Sequence, residues 1–234
     1  LDAFYMLPLI CIFLHKFVYD NKKTGLIISY AYLFITNFYM GYIVGLFSAL
    51  CFICLLVYKY GIKDYKQLLS KAISYAVLVL LSVGSCMFLL LPAALQLINQ
   101  TEEAHQSFLS LKANFLDIIN SLFIGHLPTI NNEVPFLYCG IITILLLPLF
   151  FFNRNIKRKD KVLAIVILVS LFLSMVIKPL YMLMHAFDKP NYYGFRFAFL
   201  AIFVMVIIGN ITLKNIEGLK FWYFVPTPIF LISL

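Results

Sequence analysis

The stretch MGYIVGLFSALCFICLLVY, residues 40–58, is apolar from end to end and contains no charged side chain. A helix needs about 20 predominantly apolar residues to cross a bilayer, so this stretch predicts a membrane-spanning helix. The whole chain is 63% hydrophobic and only 12% charged, whereas soluble domains carry about a quarter charged residues. The fold class that follows is an all-α polytopic transmembrane helical bundle.

Further apolar runs lie on both sides of this stretch, and together they predict about seven or eight membrane segments. Two of them, 24–36 and 40–58, are joined by a short turn and predict a tight helical hairpin. The predicted segments are 3–15, 24–36, 40–58, 72–92, 136–152, 162–181, 196–213 and 221–234.

The domain organisation expected from these runs is a single transmembrane domain over 1–234, because no linker or internal repeat interrupts it. The longest connection, about 93–135, is predicted to be an external loop, and LDIINSLF within it predicts a short amphipathic helix at the membrane interface. The chain begins with Leu1 and ends inside an apolar run, so we expect an internal piece of a larger protein.

The basic residues predict the orientation of the chain. Most of the 18 lysines and arginines lie in four short loops that alternate along the sequence, and the positive-inside rule assigns such loops to the cytoplasm. The net charge of +8 is therefore a sign of topology, and no nucleic-acid partner is predicted. The four loops are 16–23, 59–71, 153–161 and 214–220.

The external side then contains the polar stretch HAFDKPNYYGFR, residues 185–196, between two apolar runs. Arg196 begins an apolar run, where a charged group is costly and needs a partner. Asp188 could pair with Arg196 internally, or the phosphate of an anionic lipid could bind Arg196 and Lys189. The simplest alternative is an ordinary external loop, in which Pro190-Asn191 makes a turn and the tyrosines lie in the interfacial aromatic belt.

Other polar residues on this side also have two interpretations. Asp2 is either a helix N-cap or a site residue, and Asn37 and Tyr39 either make the hairpin turn or bind a ligand. His105 and His126 are either solvated loop residues or functional ones.

Several function classes are excluded by the motifs. The five cysteines lie in or beside apolar runs without disulfide or metal-ligand spacing, so no metal site is predicted. The sequence also lacks a G-x-S-x-G elbow, a phosphate-binding P-loop, a dinucleotide-binding fingerprint and a His-Glu-x-x-His motif.

Five sequence segments, taken together and in this order, make the chain resemble the YfhO family of bacterial multi-span membrane proteins. They are LDAFYMLPLI, TNFYMGYIVGLFS, FLLLPAALQL, PFLYCGIITILLLPLFFF and MHAFDKPNYYGFRFAFLAIF. The resemblance runs over essentially the whole chain. Its most specific part is a pattern formed by His185, Phe187, Pro190, Asn191, Arg196, Phe197 and Phe199.

The resemblance implies a GT-C-type glycosyltransferase in the bacterial cell membrane. Such an enzyme would move a sugar from a polyprenyl-phosphate carrier to a cell-envelope polymer such as lipoteichoic acid, on the outer face. The catalytic carboxylate of such enzymes commonly lies in the first external loop, which we expect upstream of this chain, so no catalytic residue is assigned. No cofactor is assigned either, although a divalent metal ion is compatible with this chemistry.

The site residues implied by the resemblance divide into two roles. Arg196, Lys189 and His185 would hold the phosphate, and Asp2, Asp188, Asn191 and the tyrosines would orient the sugar or a metal ion. Loop 93–135 would cover the acceptor. The full set of predicted substrate-binding residues is Asp2, Asn37, Tyr39, His126, His185, Asp188, Lys189, Asn191 and Arg196.

Two other classes compete with the enzyme. A transporter or lipid flippase should carry ionisable groups near the bilayer midplane, whereas the predicted span centres are nearly free of charge. A structural membrane protein would tolerate substitution of Arg196 and His185.

Overall fold

The computed structural model describes residues 2–61, 63–100, 112–123, 134–187 and 194–218. The regular elements in these ranges are helices, which confirms the all-α prediction for this part of the chain. The chain divides into two compact units, Leu1–Gln106 and Ser107–Leu234, which are described separately. The single transmembrane domain stays a prediction.

Among its described residues, the first unit contains five helices, and two of them are long and apolar enough to cross a membrane: Phe38–Tyr60, with 23 residues, and Tyr65–Ser85, with 21. The first helix packs against the second and third, and the second packs against the fourth. The five helices are α1 (Asp2–Asp20), α2 (Thr24–Thr36), α3 (Phe38–Tyr60), α4 (Tyr65–Ser85) and α5 (Met87–Gln100).

The predicted hairpin of α2 and α3 is present, and Asn37 forms its turn. Asn37 has extended backbone angles, and its Oδ1 accepts a hydrogen bond of 3.0 Å from the Met40 amide. This N-cap satisfies one of the amide groups that the first turn of a helix leaves without an intrahelical acceptor. The turn-making interpretation of Asn37 is therefore confirmed.

The predicted segment 72–92 is two helices rather than one. α4 ends at Ser85 and α5 begins at Met87, so the chain bends at Cys86. Gly84 and Ser85 precede the bend, and the Ser85 hydroxyl donates to the Ser82 carbonyl at 2.7 Å. Glycine-serine pairs weaken a helix in this way, because the backbone is mobile and the hydroxyl competes for helix carbonyls.

In the part of the second unit that the structure describes, there are five further helices and a short 3-10 turn, Ile216–Gly218. α10 packs against α7 and α8, and the predicted short helix within LDIINSLF is present as α6. These helices are α6 (Phe115–Asn120), α7 (Ile141–Phe152), α8 (Arg158–Val176), α9 (Lys178–Met184) and α10 (Ala198–Lys214).

The boundaries in this unit differ from the predicted segments in two places. Residues 134–140 precede α7 without helical structure, and the predicted segment 162–181 is divided at Ile177. Pro179 at the start of α9 explains the division, since proline has no amide proton for the preceding helical turn. The predicted segment 221–234 lies outside the described residues, so the number of membrane segments stays a prediction.

One end of this unit is held by a polar network. Lys161 Nζ donates to the carbonyls of Phe151 at 2.8 Å and Asn153 at 2.6 Å, which closes the end of α7. The Asn153 amide donates in turn to the Asn215 carbonyl at 2.7 Å, beyond α10. The network therefore joins α7, α8 and α10 at the end predicted to be cytoplasmic.

Candidate functional site

The polar stretch 185–196 begins where α9 ends, and its first residue is buried. His185 is 1% exposed, and its Nδ1 lies 2.9 Å from the Tyr181 carbonyl oxygen. A carbonyl oxygen only accepts, so Nδ1 carries the proton and donates it. The bond spans four residues and fixes the ring against the last turn of α9.

The ring lies in an aromatic cluster, which we define as Tyr181, His185, Phe195 and Phe197. The His185 centroid lies 4.5 Å from that of Tyr181 and 5.6 Å from that of Phe197. Tyr181 also contacts Phe195, with centroids 5.2 Å apart. All four side chains are buried, so the two sides of the polar stretch are packed together.

The backbone around the cluster is unusual at two places. Ala186 and Phe187 both have positive φ, 55° and 62°, a conformation that costs about 1–2 kcal/mol for a residue with a Cβ. A Cβ added at Gly194 would lie 2.5 Å from the Tyr181 hydroxyl oxygen. The turn therefore carries local strain, and glycine at 194 is required for the present position of Tyr181.

Two positive side chains lie at the edge of this cluster, and we call them the cationic rim: Lys112 and Arg196. Arg196 is exposed, although its neighbours Phe195 and Phe197 are buried. Lys112 Nζ lies 5.3 Å from the centroid of the Tyr181 ring, and the Lys112 amide donates to the Val176 carbonyl at 2.9 Å. The rim therefore combines residues from the predicted external loop and from the start of α10.

The electrostatics of the site act on His185. Burial is the main cause that lowers the pKa of the imidazole from its ordinary value of 6.5, and the positive charges of Arg196 and Lys112 lower it further. Backbone hydrogen bonds with Tyr181 and Gly194 act in the opposite direction. His185 is therefore neutral at pH 7, and the positive charge of the site is that of the rim.

Comparison with known proteins now identifies the family. A family model described as bacterial membrane protein YfhO matches residues 1–234. The chain belongs to the YfhO family. No curated protein and no solved structure matches it. The family resemblance in the sequence is thereby confirmed over its full extent.

In this YfhO-family chain, the structure brings together two of the predicted site residues, His185 and Arg196. Asp2 begins α1, Asn37 caps α3, and Tyr39 lies in the first turn of α3, all within the first unit. The remaining predicted residues lie outside the described residues: His126, Asp188, Lys189 and Asn191. The binding roles of the whole set stay predictions.

Sequence reasoning missed Lys112, Tyr181 and Phe195 as parts of this YfhO site. Lys112 is the single lysine or arginine of the otherwise acidic 93–135 connection, and this contrast in charge could have indicated Lys112 as a site residue. Tyr181 precedes His185 by four residues, which places both on one face of a helical turn. The approach of Phe195 depends on the turn between α9 and α10 and has no comparable signature.

The described residues around the cluster do not suit a divalent metal ion. The polar groups here are the imidazole of His185, the ammonium of Lys112 and the guanidinium of Arg196. The two positive charges of the rim would repel a metal ion. Across the described ranges, no three histidine, cysteine, aspartate or glutamate side chains are grouped as metal ligands would be. We therefore derive no step that passes through a metal.

Proposed function

We propose that this chain is the membrane part of a glycosyltransferase that moves a sugar from a polyprenyl-phosphate carrier to a cell-envelope polymer such as lipoteichoic acid, on the outer face. The observation that carries the proposal is the cationic rim, an exposed Arg196 and a half-buried Lys112 beside a buried aromatic cluster at the predicted external end of α10. Membership of a bacterial membrane protein family supports the cellular location.

The rim has the chemistry that the carrier requires. When the bond between sugar and phosphate breaks, negative charge builds on the phosphate, and a positioned cation stabilises it. The planar guanidinium of Arg196 can donate two parallel hydrogen bonds to phosphate oxygens, and Lys112 adds a second positive charge. Because Phe195 and Phe197 are buried on either side of Arg196, the backbone that carries the exposed guanidinium is anchored in the aromatic cluster.

His185 has a different role in this proposal. Its ring is 1% exposed, so in this conformation it does not reach a substrate. Its bond to Tyr181 and its aromatic contacts instead position the turn that carries Arg196. The proposal assigns no residue as the base that takes the proton of the acceptor hydroxyl.

The transporter alternative has less support from the buried polar groups. Within the described residues, the buried polar side chains of the helices are hydroxyls, and no lysine, arginine, aspartate or glutamate is buried. A transport path for ions or charged substrates uses such ionisable groups at membrane depth. The buried serine and threonine side chains of the helices are Ser29, Ser48, Ser82, Ser174 and Thr212, and Tyr30, Tyr75 and Tyr181 add buried phenol hydroxyls.

The test is substitution of Arg196 in the full-length protein, in its host. Arg196→Ala should abolish most of the sugar found on purified lipoteichoic acid, because loss of one positioned charge donor costs about 10²–10³-fold in rate. Arg196→Lys should retain part of the activity, since lysine keeps the charge but not the planar fork. Membrane abundance of each variant is measured in parallel.

Arg154→Ala is the matched control, because Arg154 is also exposed but lies in a loop predicted to be cytoplasmic. Full glycosylation in Arg196→Ala would refute the role of the rim. A fall in abundance with proportional loss of sugar would instead assign Arg196 a structural role, such as pairing with Asp188.

A further inference from the structure

A cavity in the first unit lies between the end of α1 and the start of α2, and its charge is one-sided. Its volume is about 500 Å³, and it is a surface depression that opens to solvent. We call it the basic cavity, and its charged lining side chains are Lys16, Lys22 and Lys23. Asp20 is the acidic residue of this stretch, and it is exposed and does not line the cavity.

The cavity opens on a helix N-terminus that has no capping side chain. Lys23 is the N-cap residue of α2 and has helical backbone angles, and its own side chain makes no capping hydrogen bond. The amides of Leu26 and Ile27 donate to the Lys23 carbonyl, so the amides left for a ligand are those of the first positions of the helix. The first turn of α2 also contains no acidic residue. The positive end of the α2 dipole, about half an elementary charge, therefore faces the same cavity as the lysines.

The end of α1 lies beside the same cavity, and its carbonyl groups partly offset this charge. Asn21 ends α1 with a φ of 58°, and the Val18 carbonyl already accepts a hydrogen bond of 2.8 Å from Lys59 Nζ. A further ammonium reaches the edge of the cavity from α4, because Lys71 Nζ lies 2.9 Å from the Asn21 Oδ1. Positive groups from three helices thus converge at one place.

The aromatic floor of the cavity is tightly fitted. A Cβ at Gly25 would overlap the ring of Phe13, so glycine is required where α2 passes this ring. Lys16 Nζ lies 5.5 Å from the centroid of the same ring. The Lys16 side chain is exposed, and this cation–π contact places its ammonium beside the cavity.

We propose that the basic cavity binds a phosphate group carried by the headgroup of an anionic membrane lipid. An uncapped helix N-terminus presents amide donors that suit phosphate oxygens, and lysines add point charges. Without an anion, the lysines and the helix dipole repel one another, and a bound phosphate removes this repulsion. Basic pockets between membrane helices on the cytoplasmic side bind such headgroups, and loop 16–23 is predicted to face the cytoplasm. The proposal does not depend on the glycosyltransferase activity.

The experiment uses the full-length protein reconstituted in nanodiscs of phosphatidylcholine, alone or mixed with phosphatidylglycerol. The readouts are the thermal unfolding midpoint and the phosphatidylglycerol retained in native mass spectrometry. Phosphatidylglycerol should raise the midpoint of the wild-type protein. In the triple variant K16Q/K22Q/K23Q, affinity for this lipid should fall by about tenfold or more, since each lysine near a membrane surface attracts anionic lipid.

The triple variant should remain folded, because removing mutually repelling charges does not weaken the helices. In pure phosphatidylcholine we expect it to be at least as stable as the wild type. K16R/K22R/K23R keeps the charges and should retain the lipid. The matched control is K63Q/K66Q/K157Q, which removes the same charge from exposed positions that do not line the cavity.

Inorganic phosphate, titrated into phosphatidylcholine nanodiscs, separates the two sources of the ligand. If it reproduces the stabilisation and phosphatidylglycerol does not, the cavity binds a soluble phosphate and the lipid assignment is wrong. If neither probe stabilises the protein, or if the control variant loses as much lipid as K16Q/K22Q/K23Q, the cavity is not a phosphate site.

Discussion

At the scale of single residues, His185 is a titratable group held in an apolar place. Its burial among Tyr181, Phe195 and Phe197 opposes a positive ring, and the two cations of the rim oppose it further. The pKa of the imidazole is therefore lower in the folded protein than in the unfolded chain. Because the unfolded chain then binds more protons at mildly acidic pH, acid should destabilise the fold.

We expect the contribution of His185 to be fully present above pH 6.5. It should be lost progressively as the pH falls from 6.5 towards the lowered pKa of the folded state. His185→Asn keeps a donor for the Tyr181 carbonyl but cannot be protonated. The free energy of unfolding of this variant should therefore depend less on pH below 6.5 than that of the wild type.

The measurement is the unfolding midpoint in detergent from pH 8 to pH 5, compared between the two proteins. Other titrating groups are common to both, so they cancel in the difference. Equal slopes below pH 6.5 in wild type and His185→Asn would show that His185 is not held neutral in the folded protein.

The sequence singled out His185 and Arg196, because polar residues between two apolar runs exceed what a short loop needs. It did not separate their environments: His185 is buried and Arg196, eleven positions later, is exposed. The chain turns after His185 with positive φ at Ala186 and Phe187, and His185 packs into the aromatic cluster while Arg196 lies at the surface. Such backbone angles arise from tertiary packing and leave no mark in hydrophobic periodicity.

At the scale of helices, three helices of the first unit, α2, α3 and α4, are connected by a buried group of three hydroxyls. The Tyr30 hydroxyl bonds to Ser48 Oγ and lies 2.8 Å from the Tyr75 hydroxyl. Phe52 stacks on Tyr75 with centroids 4.2 Å apart, so the group is enclosed by aromatic rings. Hydroxyl bonds between helices hold membrane bundles where lipid offers no alternative donor or acceptor.

Tyr30→Phe should therefore destabilise the first unit. The substitution keeps the ring but removes both hydroxyl bonds, and bonds of this kind contribute about 0.6–1.7 kcal/mol each in membrane bundles. We expect a clear fall in the thermal unfolding midpoint of the reconstituted protein. Unchanged stability would mean that these hydroxyls exchange partners without cost.

The matched control is Tyr32→Phe. Tyr32 lies in the same helix and is 47% exposed, so the same atom is removed from an exposed position. Its midpoint should stay close to that of the wild type. If both variants lose the same stability, the effect belongs to α2 in general and not to the buried group.

The presence of the helices could be predicted from the lengths of the apolar runs, but the residues at which the helices end could not. The limits of α2, Thr24–Thr36, match the predicted segment, because charged residues and the Asn37 turn border it. The predicted segments 72–92 and 162–181 are each interrupted, at Cys86 and Ile177. Both stretches stay apolar through the bend, so hydropathy alone cannot locate it; the Gly84-Ser85 pair and Pro179 were the available signals.

At the scale of the whole molecule, the positions of the basic residues connect both proposals. The rim is predicted to face outward, and the basic cavity is predicted to face the cytoplasm, because loop 16–23 is rich in lysine. An outward rim suits a carrier used outside the cell, and an inward cavity suits a lipid of the inner leaflet. The predicted side of the rim and that of the basic cavity both depend on the positive-inside rule, so one experiment on membrane orientation tests both.

Orientation can be read from single cysteines introduced in both units, in a background where the five native cysteines are replaced by alanine. Thr36→Cys and Lys66→Cys report on the first unit, and Asn120→Cys and Lys157→Cys on the second; all four positions are exposed. A membrane-impermeant maleimide should label positions 36 and 120 on intact cells. Positions 66 and 157 should react only after permeabilisation, because positively charged loops are retained in the cytoplasm.

Two patterns would contradict this assignment, and they differ in consequence. A fully reversed pattern would place Arg196 on the cytoplasmic side, so transfer from an outward-facing carrier would be excluded and the basic cavity would face the outer leaflet. If only the pair in the first unit is reversed, the chain crosses the membrane a different number of times between the units. The cavity proposal would then move to the outer leaflet, while the rim would keep its outward position and its proposed function.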